Sequence, residues 1–140
     1  DMHTRGSLVG LTRGANKKHI VRAALESMAY QTFDIVKTME KETGIPIGEM
    51  DVDGGATANN FLMQFQSDIL NIELVRPQMV ETTALGAAYL AGLQTGFWKN
   101  SDEILALKRP SQKFNPKMDS IKREQLLAGW QHALRQTMTR

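Results

Sequence analysis

The chain has 140 residues, of which 41% are hydrophobic and 23% are charged, a composition typical of a soluble globular domain. Its formal net charge is +2, and its Lys and Arg are interspersed with Asp and Glu, so it lacks the dense basic patch of a nucleic-acid-binding protein. It contains no cysteine, which excludes disulfide bonds, thiol chemistry and thiolate metal sites. The longest weakly apolar run, Ala84–Leu93, is too short to cross a bilayer. We therefore predict a cytoplasmic protein that binds neither nucleic acid nor membrane.

The first third of the chain predicts a strand followed by a long helix. Ser7–Leu11 is a short apolar run typical of a buried strand. From Lys17 to about Glu42 apolar residues recur at helical spacing, and Gly44 and Pro46 then end the predicted helix. The predicted buried face of this helix consists of Val21, Ala24, Leu25, Met28, Thr32, Ile35, Val36 and Met39.

The middle of the chain continues the alternation. Met50–Asp53 is predicted to be a central strand, followed by a helix from about Asn59 to Leu70 and a strand at Ile72–Val75. The apolar residues predicted to be buried by that helix are Phe61, Leu62, Phe65 and Ile69. Another helix is predicted from Val80–Thr83 through Leu93, with small residues that would let another backbone approach closely.

The last part of the chain predicts mainly helix. We expect a short helix at Ser101–Lys108, a surface connector at Pro110–Pro116 and a final helix capped by Asp119. The apolar residues expected to be buried by this last helix are Ile121, Leu126, Leu127, Trp130, Leu134 and Met138. The alternation of strands and helices predicts an α/β domain with a partly parallel sheet flanked by helices.

One turn in this pattern is a candidate binding site. Gly54 and Gly55 end the predicted strand, and the next helix begins within a few residues. Glycine has no Cβ and tolerates positive φ, so a ligand can approach the bare backbone. The helix start directs its free N–H groups and the positive end of its dipole to the same place, which favours an anion such as phosphate. We call residues 54–59 the glycine corner.

A simpler interpretation of the glycine corner stays open at this point. Paired glycines are an ordinary way to end a strand, and Asn or Thr is an ordinary helix cap. The pattern is neither GxGxxG nor GxxxxGK[ST], so it identifies no nucleotide-binding motif by itself.

Three longer stretches resemble a known family. They are GLTRGANKKHIVRAALESMAYQTFDIV (residues 10–36), DGGATANNFLMQFQSDIL (53–70) and ETTALGAAYLAGLQTGFW (81–98). Each is similar to the C-terminal domain of the glycerol kinases, in the FGGY family of carbohydrate kinases, and the match weakens from about residue 101. The resemblance implies a truncated actin/hexokinase-like ATPase domain of ribonuclease H-like fold. We expect residues 1–98 to form the core of its C-terminal part and residues 99–140 a connector and helix.

The resemblance also implies a reaction and a ligand. Members of the family transfer the γ-phosphoryl group of ATP, with Mg²⁺, to glycerol, giving glycerol 3-phosphate, and they hold the nucleotide between two domains. By this resemblance Gly55 and Asn59 contact ATP or ADP, Gly54 and Ala56 lie in the same loop, and Thr57 only shapes it. The expected partners are therefore ATP and glycerol, and we also expect a homo-oligomer.

The resemblance further implies what the chain lacks. The family's catalytic aspartate, glycerol-binding residues and phosphate loop match no residue of this sequence. We therefore expect no catalytic residue and no Mg²⁺ ligand here, and no kinase activity from this chain alone. His3, His19 and His132 have no metal-binding spacing, and no GxSxG motif indicates a hydrolase.

Two alternatives remain open. The chain could be the same lobe of another FGGY sugar kinase. It could also be a nucleotide-independent module that holds subunits together, since a truncated sheet exposes a strand edge that invites pairing. A thermal shift with ADP distinguishes the nucleotide-binding hypothesis from the assembly hypothesis.

Overall fold

The structure, a computed structural model, describes residues 5–77, 82–107 and 111–138. His3, Val80, Glu81, Lys108 and Pro110, which the sequence analysis named, lie outside these ranges. In chain order the elements are α1 (Lys17–Thr43), β1 (Glu49–Asp51), a 3-10 turn (Gly55–Ala58), α2 (Asn60–Leu70), β2 (Glu73–Pro77), α3 (Thr82–Gln94), α4 (Ser101–Leu105), β3 (Ser111–Phe114) and α5 (Ser120–Thr137).

Helix α1 begins and ends where the sequence predicts. The Asn16 side chain accepts a hydrogen bond from the Lys18 N–H at 3.0 Å, and the His19 ring nitrogen accepts one from the Asn16 N–H at 3.2 Å. Asn16 and His19 form a capping box, in which the side chain of each accepts from the backbone N–H of the other; it satisfies donors that a helix start leaves free. Gly44 ends the helix in the left-handed conformation, with φ of 70°.

The predicted buried face of α1 is largely wrong. Of the eight residues predicted to be buried, only Val36 is fully buried, while Val21 is 61% exposed and Ile35 is 62% exposed. The helix instead buries Ala29 and Tyr30 together with Val36. Helical periodicity detects an apolar stripe, but this helix has apolar residues on two sides, and contact with α2 selects which side is buried.

The sheet has three strands in the order β1-β2-β3 among the described residues. β1 and β2 run parallel, with Met50 opposite Leu74, and β2 and β3 run antiparallel, with Leu74 opposite Phe114. The predicted α/β class and partly parallel sheet are therefore confirmed. The prediction that Met50–Asp53 is the central strand is wrong. The strand there, β1, lies at one edge of the three described strands, and β2 lies between β1 and β3.

Two other predicted segments differ from the structure. Ser7–Leu11 is not a strand, and Gly10 within it has a φ of +75°, which a regular strand does not accommodate. The predicted connector contains β3, because Phe114 is 6% exposed and joins the core. Flanking prolines favour a loop, but pairing with β2 overrides that local preference.

The core lies between the sheet and helices α1 and α2. Leu62, Phe65 and Ile69 of α2 are buried as predicted, whereas Phe61 is 41% exposed. The buried Ser67 hydroxyl lies 2.8 Å from the Ile72 carbonyl oxygen and 2.9 Å from that of Phe114, and it is shared between them. It thereby joins α2 to the loop before β2 and to β3.

Helix α5 is present, and Asp119 caps it by accepting from the Lys122 N–H at 2.9 Å. Its predicted burial is only partly correct, because Ile121 is 69% exposed and no residue of α5 is fully buried. Leu126, Leu127 and Trp130 pack partly buried against the core. The apolar stripe of α5 therefore covers the domain from outside.

One of the small residues of α3, Gly92, packs against the side chain of Trp98. A Cβ on Gly92 would lie 2.2 Å from the indole ring of Trp98, so the indole lies directly against that glycine. The same indole makes an edge contact with the Tyr89 ring at 5.2 Å between centroids. Within the described residues the close neighbour of Gly92 is therefore the side chain of Trp98, which follows α3, whereas the sequence analysis expected another backbone there.

Candidate functional site

The glycine corner lies at the carboxyl end of β1. The Val52 N–H donates to the Val75 carbonyl at 2.9 Å, which extends the parallel pairing one residue beyond β1. The chain then turns at Gly54, with φ of 88° and ψ of 166°. That combination is essentially restricted to glycine. Ligands of sheets with parallel strands bind at this end of the strands, so the corner has the position that a binding site requires.

Thr57 holds the corner from inside. It is 5% exposed, and its hydroxyl donates to the Gly54 carbonyl at 2.7 Å. The Thr57 N–H donates to the same carbonyl at 3.0 Å. Thr57 therefore shapes the loop by fixing Gly54; that it makes no contact with a ligand stays a prediction.

Asn59 connects the corner to α2. Its side-chain oxygen accepts from the Leu62 N–H at 3.2 Å and caps the helix. An asparagine side chain also carries an NH₂ group with two donors. The capping bond uses the oxygen, so the NH₂ group is the part of Asn59 suited to an acceptor atom on a ligand.

The outer surface of the glycine corner is open. Gly54, Gly55 and Ala56 are exposed, and a Cβ added at Gly55 would meet no atom within 4 Å. The bare backbone at Gly55 is therefore accessible to a ligand. The corner and the start of α2 bring together Gly54, Gly55, Ala56 and Asn59, the four predicted binding residues, within one exposed turn.

Arg76 is a residue of this corner that the sequence analysis did not single out. It lies at the end of β2, and its guanidinium donates to the Thr57 carbonyl oxygen and, at 2.8 Å, to the Asn60 side-chain oxygen. The same group donates to the Gln112 side chain and lies over the Phe114 ring, 5.2 Å from its centroid. Its place in the sequence gave a signal, because it directly follows the predicted strand Ile72–Val75, and ligands bind at the carboxyl ends of parallel strands.

The histidines have structural roles where the structure describes them. The His19 ring caps α1, and the His132 ring contacts the Gln136 side chain at 3.0 Å. In the described part of the chain no cluster of three or more His, Cys, Asp or Glu is arranged to hold a metal ion. Across the same ranges, no helix combines the length and the apolar character needed to span a membrane.

The fold and the family comparison together define the class of protein. An α/β unit with a parallel strand pair and flanking helices is shared with solved sugar kinases of the actin/hexokinase-like ATPase fold. The C-terminal domain model of the FGGY family of carbohydrate kinases matches residues 1–95. This chain belongs to that family, and the resemblance found in the sequence is confirmed.

Individual relatives agree with the family assignment. The chain is 58% identical over 138 residues to a glycerol kinase of Clostridium botulinum strain 657, and 54% identical to one of Thermoanaerobacter sp. strain X514. Each alignment covers 99% of this chain and 28% of the relative. The chain therefore spans a little over a quarter of the length of these relatives.

Solved structures give the same result. A Plasmodium falciparum glycerol kinase crystallised with ADP superposes with a TM-score of 0.87 and 37% identity, covering 99% of this chain and 28% of the other. A ligand-bound xylulose kinase from Lactobacillus acidophilus superposes with a TM-score of 0.72 and 25% identity, covering 93% of this chain and 27% of the other.

Proposed function

We propose that this chain is the ATP-binding part of a glycerol kinase, which transfers the γ-phosphoryl group of MgATP to glycerol in the cytoplasm. The observation that carries the proposal is the open backbone surface at Gly55, beside the start of α2, in a chain 58% identical to a glycerol kinase. The proposed nucleotide contacts are Gly55 and Asn59, with Gly54 and Ala56 in the same loop.

The chemistry of the corner suits a nucleotide phosphate. Gly55 presents an N–H with no side chain in front of it, and the first turn of α2 adds further free N–H groups and a positive dipole end. The NH₂ group of Asn59 can donate to a phosphate, ribose or base acceptor. These groups bind and orient a nucleotide, and none of them is a nucleophile or a general base.

The lack of a nucleophile or a general base among these binding groups supports the proposal that the chain alone is inactive. Phosphoryl transfer depends on positioning and charge stabilisation by several converging groups and Mg²⁺. This proposal assigns no Mg²⁺ ligand, no base and no glycerol contact to this chain. A coupled assay of ATP-dependent glycerol phosphorylation should give no turnover, and turnover above that of Gly55→Val would contradict this proposal.

Glycerol is the favoured substrate because the sequence identity differs strongly between relatives. The glycerol kinase relatives reach 58% identity, whereas the xylulose and gluconate kinases of Lactobacillus acidophilus reach 25%. The alternative of another FGGY sugar kinase is correspondingly weaker.

Nucleotide binding is tested by thermal unfolding with ADP. A ligand at about ten times its dissociation constant stabilises a protein by roughly 1.4 kcal/mol, which raises the unfolding midpoint. We expect this rise to disappear in Gly55→Val, where a branched side chain covers the exposed backbone. A Cβ at Gly55 meets no neighbour, so the variant should remain folded.

Gly48→Val is the matched control for this experiment. Gly48 also has open space around its Cβ position and no positive φ. It directly precedes β1, at the opposite end of that strand from the corner. We expect it to respond to ADP as the unmodified chain does. No response of the unmodified chain at millimolar ADP would refute nucleotide binding.

A second candidate, an assembly module that forms a homo-oligomer, is favoured by the exposed side of α1. Val21, Ile35 and Met39 are 61%, 62% and 53% exposed, and large exposed apolar patches often mark protein contacts. Under this candidate the chain associates with itself and does not respond to ADP.

A further inference from the structure

Arg76 connects three parts of the fold that meet at the glycine corner. One guanidinium nitrogen donates to the Thr57 carbonyl at the end of the 3-10 turn, and the other donates to Asn60, the first residue of α2. The second nitrogen also donates to Gln112 of β3, the residue directly opposite Arg76 in the strand register. A single side chain thus holds the turn, the helix start and the sheet together.

The contact with Thr57 reaches the candidate binding residues in one further step. Thr57 is the residue whose hydroxyl and N–H both bond to the Gly54 carbonyl. The path of hydrogen bonds therefore runs from Arg76 through Thr57 to Gly54, which immediately precedes Gly55. Arg76 itself contacts neither Gly55 nor Asn59 in any of the bonds described above.

We propose that Arg76 is a positioning residue for nucleotide binding: its forked guanidinium sets the Gly55 backbone and the start of α2 in the relative orientation that a nucleotide requires. This inference rests on the proposed function, since it assigns a role within the same site. The geometry that carries it is the bridging of Thr57 and Asn60 by one rigid planar group, which a flexible lysine ammonium cannot reproduce.

A cross-strand contact on the same pair of strands provides the control. Lys113 of β3 donates to Glu73 of β2 at 2.5 Å, and the two side chains are 55% and 24% exposed. Lys113→Met removes a cation and a β2–β3 contact, as Arg76→Met does, but it leaves the bonds to Thr57 and Asn60 intact. Loss of sheet stability alone therefore affects both variants.

The experiment measures ADP binding to the unmodified chain, Arg76→Met, Arg76→Lys and Lys113→Met by amide NMR titration. A temperature at which all four are folded separates binding from stability. We expect ADP affinity to fall about tenfold in Arg76→Met, because a charge-assisted hydrogen bond that fixes the turn is lost. The amide signals of Gly55 and Thr57 should shift in this variant without ADP, and Lys113→Met should bind as the unmodified chain does.

Arg76→Lys shows whether ADP affinity depends on the geometry of the guanidinium group or only on its positive charge. A lysine keeps the positive charge but not the fork, so we expect its ADP affinity to stay within about threefold of Arg76→Met. Affinity equal to that of the unmodified chain, in either Arg76 variant, overturns the positioning role. An equal loss in Lys113→Met also overturns it. Failure of the unmodified chain to bind ADP would instead refute the proposed function, which keeps the two failures distinct.

Discussion

Two adjacent glycines in the corner have different conformational demands. Gly54 has a φ of +88° and Gly55 has no positive φ, although a Cβ would find open space at both. The backbone at Gly54 therefore requires glycine for conformational reasons, while Gly55 tolerates a side chain in the unliganded fold. Substitution at the first should affect stability, and substitution at the second should affect ligand binding.

We predict that Gly54→Ala lowers the free energy of unfolding by roughly 1–3 kcal/mol, the usual cost of forcing an L-residue into such a region. Urea unfolding followed by circular dichroism measures this loss. Gly48→Ala, at a glycine with open space and no positive φ, should change stability by no more than about 0.5 kcal/mol. Equal stability of the two variants would contradict the claim that the backbone conformation at Gly54 requires glycine.

A second prediction at the residue scale concerns Tyr30. Burial raises the pKa of Tyr30 from 10.0 to about 12, with a further contribution from the Glu26 carboxylate and an opposing one from Arg22. The folded protein therefore favours the neutral phenol. Its contribution to stability is fully present below about pH 10 and is lost as the pH rises towards 12.

Tyr30→Phe removes this titration. Between about pH 9 and pH 12 we expect the unmodified chain to lose more stability than Tyr30→Phe, by on the order of 1 kcal/mol after allowance for solvent screening. Urea unfolding at a series of pH values measures the difference. Parallel pH profiles for the two proteins would show that Tyr30 does not titrate abnormally.

At the scale of elements, one hydroxyl joins α2 to the sheet. Ser67 is fully buried and bonds to the carbonyls of Ile72 and Phe114. Ser67→Ala leaves both carbonyls without this donor, and we predict a loss of about 1–3 kcal/mol in the free energy of unfolding. In Ser27→Ala the lost bond goes to the Ala24 carbonyl of the same helix, so denaturant titration should show a change near zero.

Helix α5 contacts α1 mainly through Trp130. The Trp130 indole N–H donates to the Asp34 carboxylate at 2.7 Å, and its ring stacks on Tyr30 at 5.2 Å between centroids. Helix α5 has no fully buried residue, and these contacts add to the partly buried packing of Leu126 and Leu127 against the core. The helix should therefore detach more readily than α1 or α2.

We predict that Trp130→Ala destabilises the protein by roughly 2–3 kcal/mol, less than a fully buried tryptophan would. Hydrogen exchange should accelerate selectively over residues 120–137. Trp130→Phe keeps an aromatic ring but loses the donor, so it should cost only about 1 kcal/mol. Uniform acceleration across α1 and α2 would contradict an independently attached α5.

For the whole molecule, the main feature is an apolar surface on α1 that the described residues leave uncovered. Ile35 and Met39 are 62% and 53% exposed one turn apart on the same helix. Surface of this kind favours association with another protein surface. We predict that this chain associates with itself as its concentration rises, which sedimentation velocity measures.

The double variant Ile35→Gln and Met39→Gln should weaken this association while changing stability by no more than about 0.5 kcal/mol, since both side chains are mainly exposed. Glu42→Gln, at an exposed position near the end of the same helix, is the control and should associate as before. Unchanged association of the double variant would place the contact elsewhere.

Much of the fold and of the candidate site follows from local sequence. Asn16, Gly44 and Asp119 set helix ends through short-range hydrogen bonds and left-handed geometry, which depend on only a few neighbouring residues. Gly54 and Asn59 specify the corner for the same reason. The role of the corner residues in binding stays a prediction, as does the division of the chain near residue 98.

The tertiary structure alone decided which surfaces meet. Apolar spacing indicated an amphipathic α1 but could not choose Tyr30 over Ile35 as a buried residue, because both belong to apolar stripes and only packing against α2 selects one. Residues 111–114 became a strand because a partner strand was available, and Arg76 joined the corner because β2 lies beside it. Contacts between residues far apart in sequence carry no local signature, since each depends on a partner that the local sequence does not contain.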